Sequence, residues 1–474
     1  MEVANTISQL CLKKFDDLPK NGKPEEGKQW TALAGFVKQL INKDNKVIGG
    51  DDYEVVAIGT GTTCLGESQM RKDGLILHDN HAEVIARRSF IRYLYHEILS
   101  TWQSTKTSTI FNKTNDGKCC LKSGGSFHFY TSNTPCGDAT IFPISQPLNQ
   151  TQSKGVKRKC EQVKLNPEKK VCIHETADEI EQATTQTQKV QRHNRQVLAT
   201  LLHSAHNLNI AGFIDSSIVR LGIFLIESML CYFRTGAKCV AGENSDRHGK
   251  GINYHCVGSL RTKPGRGERT TSMSCSDKIL KWNLMGWQGH LLSLLVSEPI
   301  HMKYIIVGGV ADTVALKRAF YGRIFKHEKF VSLETKINLH CPLIYKTDTE
   351  FRFGKPVFNK KHLKPCGSSL SWCKIEIKSL DVAAKSGFRL GTVKKHEGLP
   401  KSSTFISRAS LFQLFKDVTY VLPQCSLTEH LGSMKNNSYK FHKLLAEDYE
   451  EKWKTVKMDL LQNWISHSED LDKF

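Results

Sequence analysis

The sequence predicts an α/β fold, layered around a partly parallel sheet. Three short apolar runs carry that expectation: Val55-Val-Ala-Ile-Gly59, Phe127-His-Phe-Tyr-Thr-Ser132 and Tyr304-Ile-Ile-Val-Gly308 read as buried strands. Longer segments with helical spacing separate them, so strands and helices alternate. Composition agrees: 39% of the 474 residues are apolar, enough to bury a large core or two.

In chain order, residues 1–48 read as an N-terminal helical segment, because 31–41 space their apolar residues helically. Val55–Gly59 is the first strand, and Thr60-Gly-Thr-Thr-Cys64 supplies a turn. A helix follows His81, with Phe90, Ile91 and Leu94 on its apolar stripe. After the Phe127 strand, Asn133-Thr-Pro-Cys-Gly-Asp138 resembles a helix start, with Thr134 as cap and Pro135 in first position. Residues 144–195 are rich in Gln, Lys, Thr and Asn and hold no aromatic residue, so 144–233 is expected to be an insertion, partly disordered. Its Lys157-Arg-Lys159 is either a solvated cluster or a nuclear signal. A helix is expected from Leu280 through Leu284 and Leu291 to Val296, and another over Ala315–Tyr321. Helices near 406–416 and 439–462 follow in a lysine-rich tail from 346 onward.

A net charge of +20 favours a polyanionic partner, most simply nucleic acid. The 15 cysteines are odd in number and irregularly spaced, and the first residues carry Glu2 and no apolar core. The expectation is an intracellular protein, nuclear or cytoplasmic or both, with cysteines as free thiols or ligands. No run is long and apolar enough to suggest a membrane span.

The chemistry begins at Leu77-His-Asp-Asn-His-Ala-Glu83. His81 and Glu83 fall on the first turn of their helix, where a neutral imidazole can ligate zinc and a carboxylate that is not a ligand can shuttle protons of the bound water. Cys136, in Thr-Pro-Cys-Gly-Asp, and Cys275, in Met-Ser-Cys-Ser-Asp-Lys, each sit where a helix opens, which favours a thiolate. One histidine and two thiolates leave the fourth tetrahedral position open. The pattern H-x-E followed by P-C-x-x-C of zinc deaminases is met only halfway, since position 139 is alanine and Cys275 is far along the chain. By spacing alone, two ordinary buried thiols explain these cysteines equally well.

His81-Ala-Glu83, Ser132-x-x-Pro135-Cys136-Gly-Asp-Ala139 and Ser272-Met-Ser-Cys-Ser-Asp-Lys278 followed by Trp282-Asn together resemble the adenosine deaminase domain shared by enzymes that edit double-stranded RNA and tRNA. The likeness spans residues 30 to 464, interrupted over 144–233. It implies a cytidine-deaminase-like three-layer α/β/α sandwich at 49–345 with a C-terminal α+β extension at 346–474, the whole forming one editase domain. It implies zinc on His81, Cys136 and Cys275, and Glu83 as proton shuttle. It further implies a buried inositol hexakisphosphate on Arg87, Arg88, Lys278, Trp282, Arg408, Tyr439, Lys443, Tyr449 and Trp464, with Asp79 and Lys263 relaying to the zinc site. His78, Lys281 and His290 stand where the duplex editors have asparagine, arginine and serine. Arg261-Thr-Lys263 and Glu268 begin a loop that those editors share, but Cys275 follows almost at once, and no double-stranded RNA-binding domain is recognisable. The resemblance therefore points to the tRNA-acting branch: the expected partner is alanine tRNA, deaminated at the adenosine 3′ of the anticodon, and neither DNA nor a membrane. A duplex RNA editor and an inactive RNA-binding homologue are the alternatives.

Overall fold

A computed structural model describes residues 2–39, 53–103, 108–144, 231–233, 236–243, 256–264, 268–355, 363–422, 438–466 and 468–474. The chain divides into two compact units, and the second, 143–233 with 247–255, lies almost wholly outside the described residues. The expected insertion and its Lys157–Lys159 cluster fall there.

The other unit is organised by seven strands: β1 (Leu33–Gln39), β2 (Tyr53–Thr60), β3 (Phe127–Thr131), β4 (Met302–Val307), β5 (Leu343–Lys346), β6 (Ser368–Cys373) and β7 (Leu380–Ala384). They lie in the order β5-β4-β3-β1-β2-β6-β7. The sheet is mixed: β4 runs parallel to β3 and β5, while β3-β1-β2-β6-β7 are antiparallel neighbours. The three expected strands are β2, β3 and β4.

Alternate side chains enter two separate cores, as the period of two requires. Leu33, Val37, Ile58, Tyr130 and Ile306 pack with helix α1 (Glu2–Asp17), whose Ala4, Ile7, Cys11 and Phe15 make one helical stripe. Ala34, Phe36, Ala57, Phe129 and Ile305 pack with helices α2 (Ala82–Trp102) and α3 (Cys275–Met285). Phe36 stacks on Phe90 of α2 at 4.4 Å between ring centres, so truncating Phe36 to Ala is worth about 3–5 kcal/mol. A Cβ at Gly59 would fall 2.3 Å from Ala86 N; glycine lets β2 lie directly against α2 and so fixes the helix that carries the site.

Several expectations change. Residues 33–39 form β1, not a helix: a short apolar run buried on both faces has no period that separates strand from helix. No helix opens at 133–138, because Gly137 adopts φ +111°, outside the helical region, and only a 3₁₀ turn, Asp138–Thr140, follows. Thr134 Oγ1 instead donates to Val310 O at 2.6 Å. The helix expected through Val296 stops at Gly286 (φ +85°) and resumes as His290–Ser293. The expected helices of the tail are α4 (Arg408–Val421), α5 (Tyr439–Leu444) and α6 (Glu447–Asp459). Cys11, Cys64, Cys119, Cys120, Cys136, Cys275, Cys366 and Cys373 are free thiols, and no described helix is long and apolar enough to cross a membrane.

Candidate metal centre and the charged interior behind it

Three elements deliver the three ligands. A short strand, Asp79–His81, pairs with Thr62–Cys64 and ends at His81, the residue that precedes α2. Cys136 lies in the turn after β3. Cys275 opens α3, where Ser274 caps the helix by accepting from Asp277 N. The cysteine loops are locked together: Cys275 N donates to Cys136 Sγ at 3.4 Å, and Cys136 O accepts from Ser276 N at 3.0 Å and Ser276 Oγ at 2.7 Å. Gly137 is required here, since a Cβ would lie 2.1 Å from Ser274 Oγ. The helix terminus that favours a thiolate at Cys136 is thus α3, reached through space.

His81 Nδ1 lies 3.5 Å from Cys275 Sγ and 3.8 Å from Cys136 Sγ, and the three ligand atoms fall within 4.8 Å of one another. Tetrahedral zinc, with bonds of about 2.3 Å to sulfur and about 2.0–2.1 Å to nitrogen, sets ligand edges of roughly 3.6–3.8 Å. The residues therefore fit such an ion. A hydrogen bond from Cys275 holds the Cys136 thiol well below its ordinary range against burial, while burial pushes Cys275 well up. Glu83 is buried beside the ligands, its Oε2 3.2 Å from Cys275 Sγ.

Behind His81, Asp79 anchors a buried network. Its Oδ1 and Oδ2 accept from Lys263 Nζ at 2.8 and 2.7 Å, Oδ2 also accepts from Ser272 Oγ at 2.7 Å and pairs with Lys278, and Oδ1 accepts from His81 N at 3.0 Å. Burial alone would raise the Asp79 carboxyl, yet Lys263 and Lys278 hold it well below the carboxylate range. Burial would lower the fully buried Lys263 amine, yet Asp79 together with the sulfurs of Cys275, Cys136 and Cys64 raises it well above its ordinary value.

One turn along α2 the charges lose such partners. Arg87 lies over the Trp282 ring at 4.9 Å and donates to Trp287 O, and Arg88 donates to Ile406 O. Burial pulls both guanidiniums down to about 10, with Tyr449 and Tyr439 on the Arg87 side and Arg408 beside Arg88. Arg408 Nη1 and Lys443 share Asp472 at 2.6 and 2.9 Å. Lys443 lies 5.9 Å from the Tyr439 ring centre. Lys281 sits 3.5 Å over Trp453 and 5.7 Å from Trp464, its amine pushed well down by burial and by Lys443 and Arg87. Lys281 therefore joins a cation set that sequence reading assigned without it; an isolated lysine carries no signal of burial. His78 Nδ1 lies 3.3 Å from Arg408 Nη2, and His290 packs on Tyr449 at 4.1 Å and meets Glu450. Glu268 turns back onto the loop before His78, accepting from Ser68 N at 2.7 Å.

A His/Cys/Cys group with an adjacent buried glutamate on a mixed α/β scaffold defines the class of metal-dependent nucleobase deaminases. The chain belongs within that class to the adenosine-deaminase (editase) domain family, whose model matches residues 57–468. It is 34% identical to "tRNA-specific adenosine deaminase 1" of Homo sapiens over the full length of both chains. The protein of that name in Drosophila melanogaster is 30% identical, covering 99% of this chain and 96% of its own. "Double-stranded RNA-specific editase Adar" of the same fly is 29% identical over 68% of this chain and 36% of its own.

Proposed function

We propose that the chain is a hydrolytic adenosine deaminase acting on tRNA, converting adenosine and water to inosine and ammonia. The observation that carries the reading is Glu83 beside Cys275 in the His81/Cys136/Cys275 group, on a chain similar from end to end to tRNA deaminases. The substrate position is the adenosine 3′ of the anticodon in alanine tRNA. An anticodon-loop base is unpaired, so little unpairing energy is needed to reach C6.

His81, Cys136 and Cys275 would hold zinc. When bound, zinc supplies a position where water loses its proton near neutral pH. Glu83, in its buried site, would pass that proton to the ring nitrogen, then take the remaining hydroxyl proton and pass it to the departing amine. Asp79 fixes His81 through the backbone N–H of that residue, and Lys263 fixes Asp79. The fold supports a cytidine-deaminase-like three-layer core at 49–345, with 346–474 closing a cavity over α2. The expected set of Arg87, Arg88, Lys278, Arg408, Lys443 and the rings of Trp282, Tyr439, Tyr449 and Trp464, now joined by Lys281, suits a compact polyanion, inositol hexakisphosphate. The +20 charge would grip tRNA phosphates with a steep salt dependence.

The test is inosine at that position in alanine tRNA after incubation with purified protein, with zinc quantified in parallel. One zinc and inosine in tRNA are expected. Editing of a long RNA duplex but not of tRNA would shift the assignment to the duplex branch. Cys275→Ala is expected to lose the metal; a variant still holding one zinc per chain would refute the ligand set.

A further inference from the structure

Each metal cysteine is followed two residues later by an aspartate: Cys136-Gly-Asp138 and Cys275-Ser-Asp277. Both aspartates are 0% exposed, and neither belongs to the ligand group. Each is held by its own arginine. Asp138 Oδ2 accepts from Arg318 Nε at 2.9 Å, and Arg318 Nη2 donates to Asp138 O at 2.8 Å and Ile141 O at 3.0 Å, so the whole turn after Cys136 hangs on one guanidinium. Asp277 Oδ1 pairs with Arg323 Nη2, while its Oδ2 accepts from Ser274 Oγ at 2.5 Å and Arg261 N at 2.9 Å. One strap of chain ties the two halves: Gly258 N donates to Asp138 Oδ1 at 2.6 Å, and Gly258 O accepts from Arg323 Nη1 at 3.3 Å.

The two arginines stand five residues apart on one helical stretch, 313–325. On a regular α-helix, five steps of about 100° would leave them roughly 140° apart. Here Arg323 N donates to Arg318 O across a π-turn, Arg318–Gly322, and an i→i+5 bond brings both onto one face. A π-turn costs regular hydrogen bonding, and buried ion pairs stabilise little relative to apolar packing; fixed geometry is what a planar two-nitrogen fork adds.

We infer that Arg318 and Arg323 are positioning residues, a two-point clamp on one rigid helix that sets the separation of the Cys136 and Cys275 sulfurs and so the affinity and geometry of the metal centre. The inference rests on the metal reading of the His81/Cys136/Cys275 group.

Arg318→Lys keeps the charge and loses the fork, and its side chain is 22% exposed, so the fold should accept it. In the full chain, chelator competition should show zinc bound about 10–100-fold more weakly. Cobalt-loaded Arg318→Lys should show shifted d–d and sulfur-to-cobalt bands. Arg323→Lys should act in the same way through the other cysteine. If that nearly buried variant does not fold, Arg318→Lys decides alone. A lowered thermal midpoint with wild-type zinc affinity and wild-type cobalt spectrum overturns the clamp. A wild-type chain that takes up neither zinc nor cobalt overturns the metal reading together with it.

Discussion

At the start of α2, both cations behind the candidate metal centre meet a carboxylate: Lys263 and Lys278 share Asp79, which also accepts from Ser272. One turn further on, Arg87 meets a tryptophan ring and a carbonyl oxygen, and Lys281 meets two more tryptophans. In the first cluster each lysine has a carboxylate within the protein. The second carries an excess of buried positive charge, which is costly unless a counter-ion enters the fold with it. One helix thus supports a group of side chains that fits a metal, and a set of buried cations held by rings and carbonyl oxygens.

The largest effect should come from separating these two dependences. Refolding with inositol hexakisphosphate present at about 1,000 times its Kd should add about 4 kcal/mol over refolding without it. Removing zinc with a chelator should shift the thermal midpoint far less. Equal shifts would erase the distinction between the clusters.

Next is chemistry without structure. Glu83→Gln keeps the shape and loses the base, so inosine formation should fall about 10²–10⁴-fold while zinc content stays at the wild-type level. Residual activity within tenfold of wild type would remove Glu83 from the proton path.

A smaller effect, read as stability, tests the Asp79 cluster. Lys263→Met leaves a buried carboxylate one partner short and should cost about 3 kcal/mol by denaturant midpoint. Lys28→Met removes an ion pair of similar length to Glu25 at the surface and should cost less than about 1 kcal/mol. Similar losses in both would mean that burial does not set the value of the Asp79 network.

The smallest effect concerns pH. Burial pulls His128 down to about 3 from its usual 6.5, with Lys303 adding to the shift. The folded state then binds fewer protons than the unfolded chain between those values, so His128 costs stability as pH falls from 6.5 toward 3. His128→Phe should flatten the acid limb of the stability curve by up to about 1.4 kcal/mol per pH unit in that window. An unchanged slope would place the acid sensitivity elsewhere.

The catalytic fragment was the most legible part of the chain. His81-Ala-Glu83 is local, so the candidate ligand and base come together within three residues, although His81 ends a short strand and precedes α2 where a helical turn was expected, and β2, β3 and β4 announce themselves as short apolar runs. The second and third candidate ligands were legible only as a resemblance between motifs, because 139 residues of sequence separate two cysteines that a hydrogen bond from the Cys275 backbone to the Cys136 sulfur joins. β1 misled, since its apolar run fits either period.

By itself, the sequence determined which residues can do chemistry: a histidine, two cysteines, a glutamate, and an excess of cations that must meet an anion somewhere. It also determined the local elements whose signals are local. The tertiary structure alone decided which of many lysines are buried, that Asp79 closes one cluster while Lys281 leaves the other open, and that two arginines on one π-turned helix reach the aspartates behind both cysteines. The reason is physical. Ligand distances and desolvation depend on chain segments brought together by the sheet, and no pattern along the chain encodes the low-dielectric surroundings that turn an ordinary charge into a buried one.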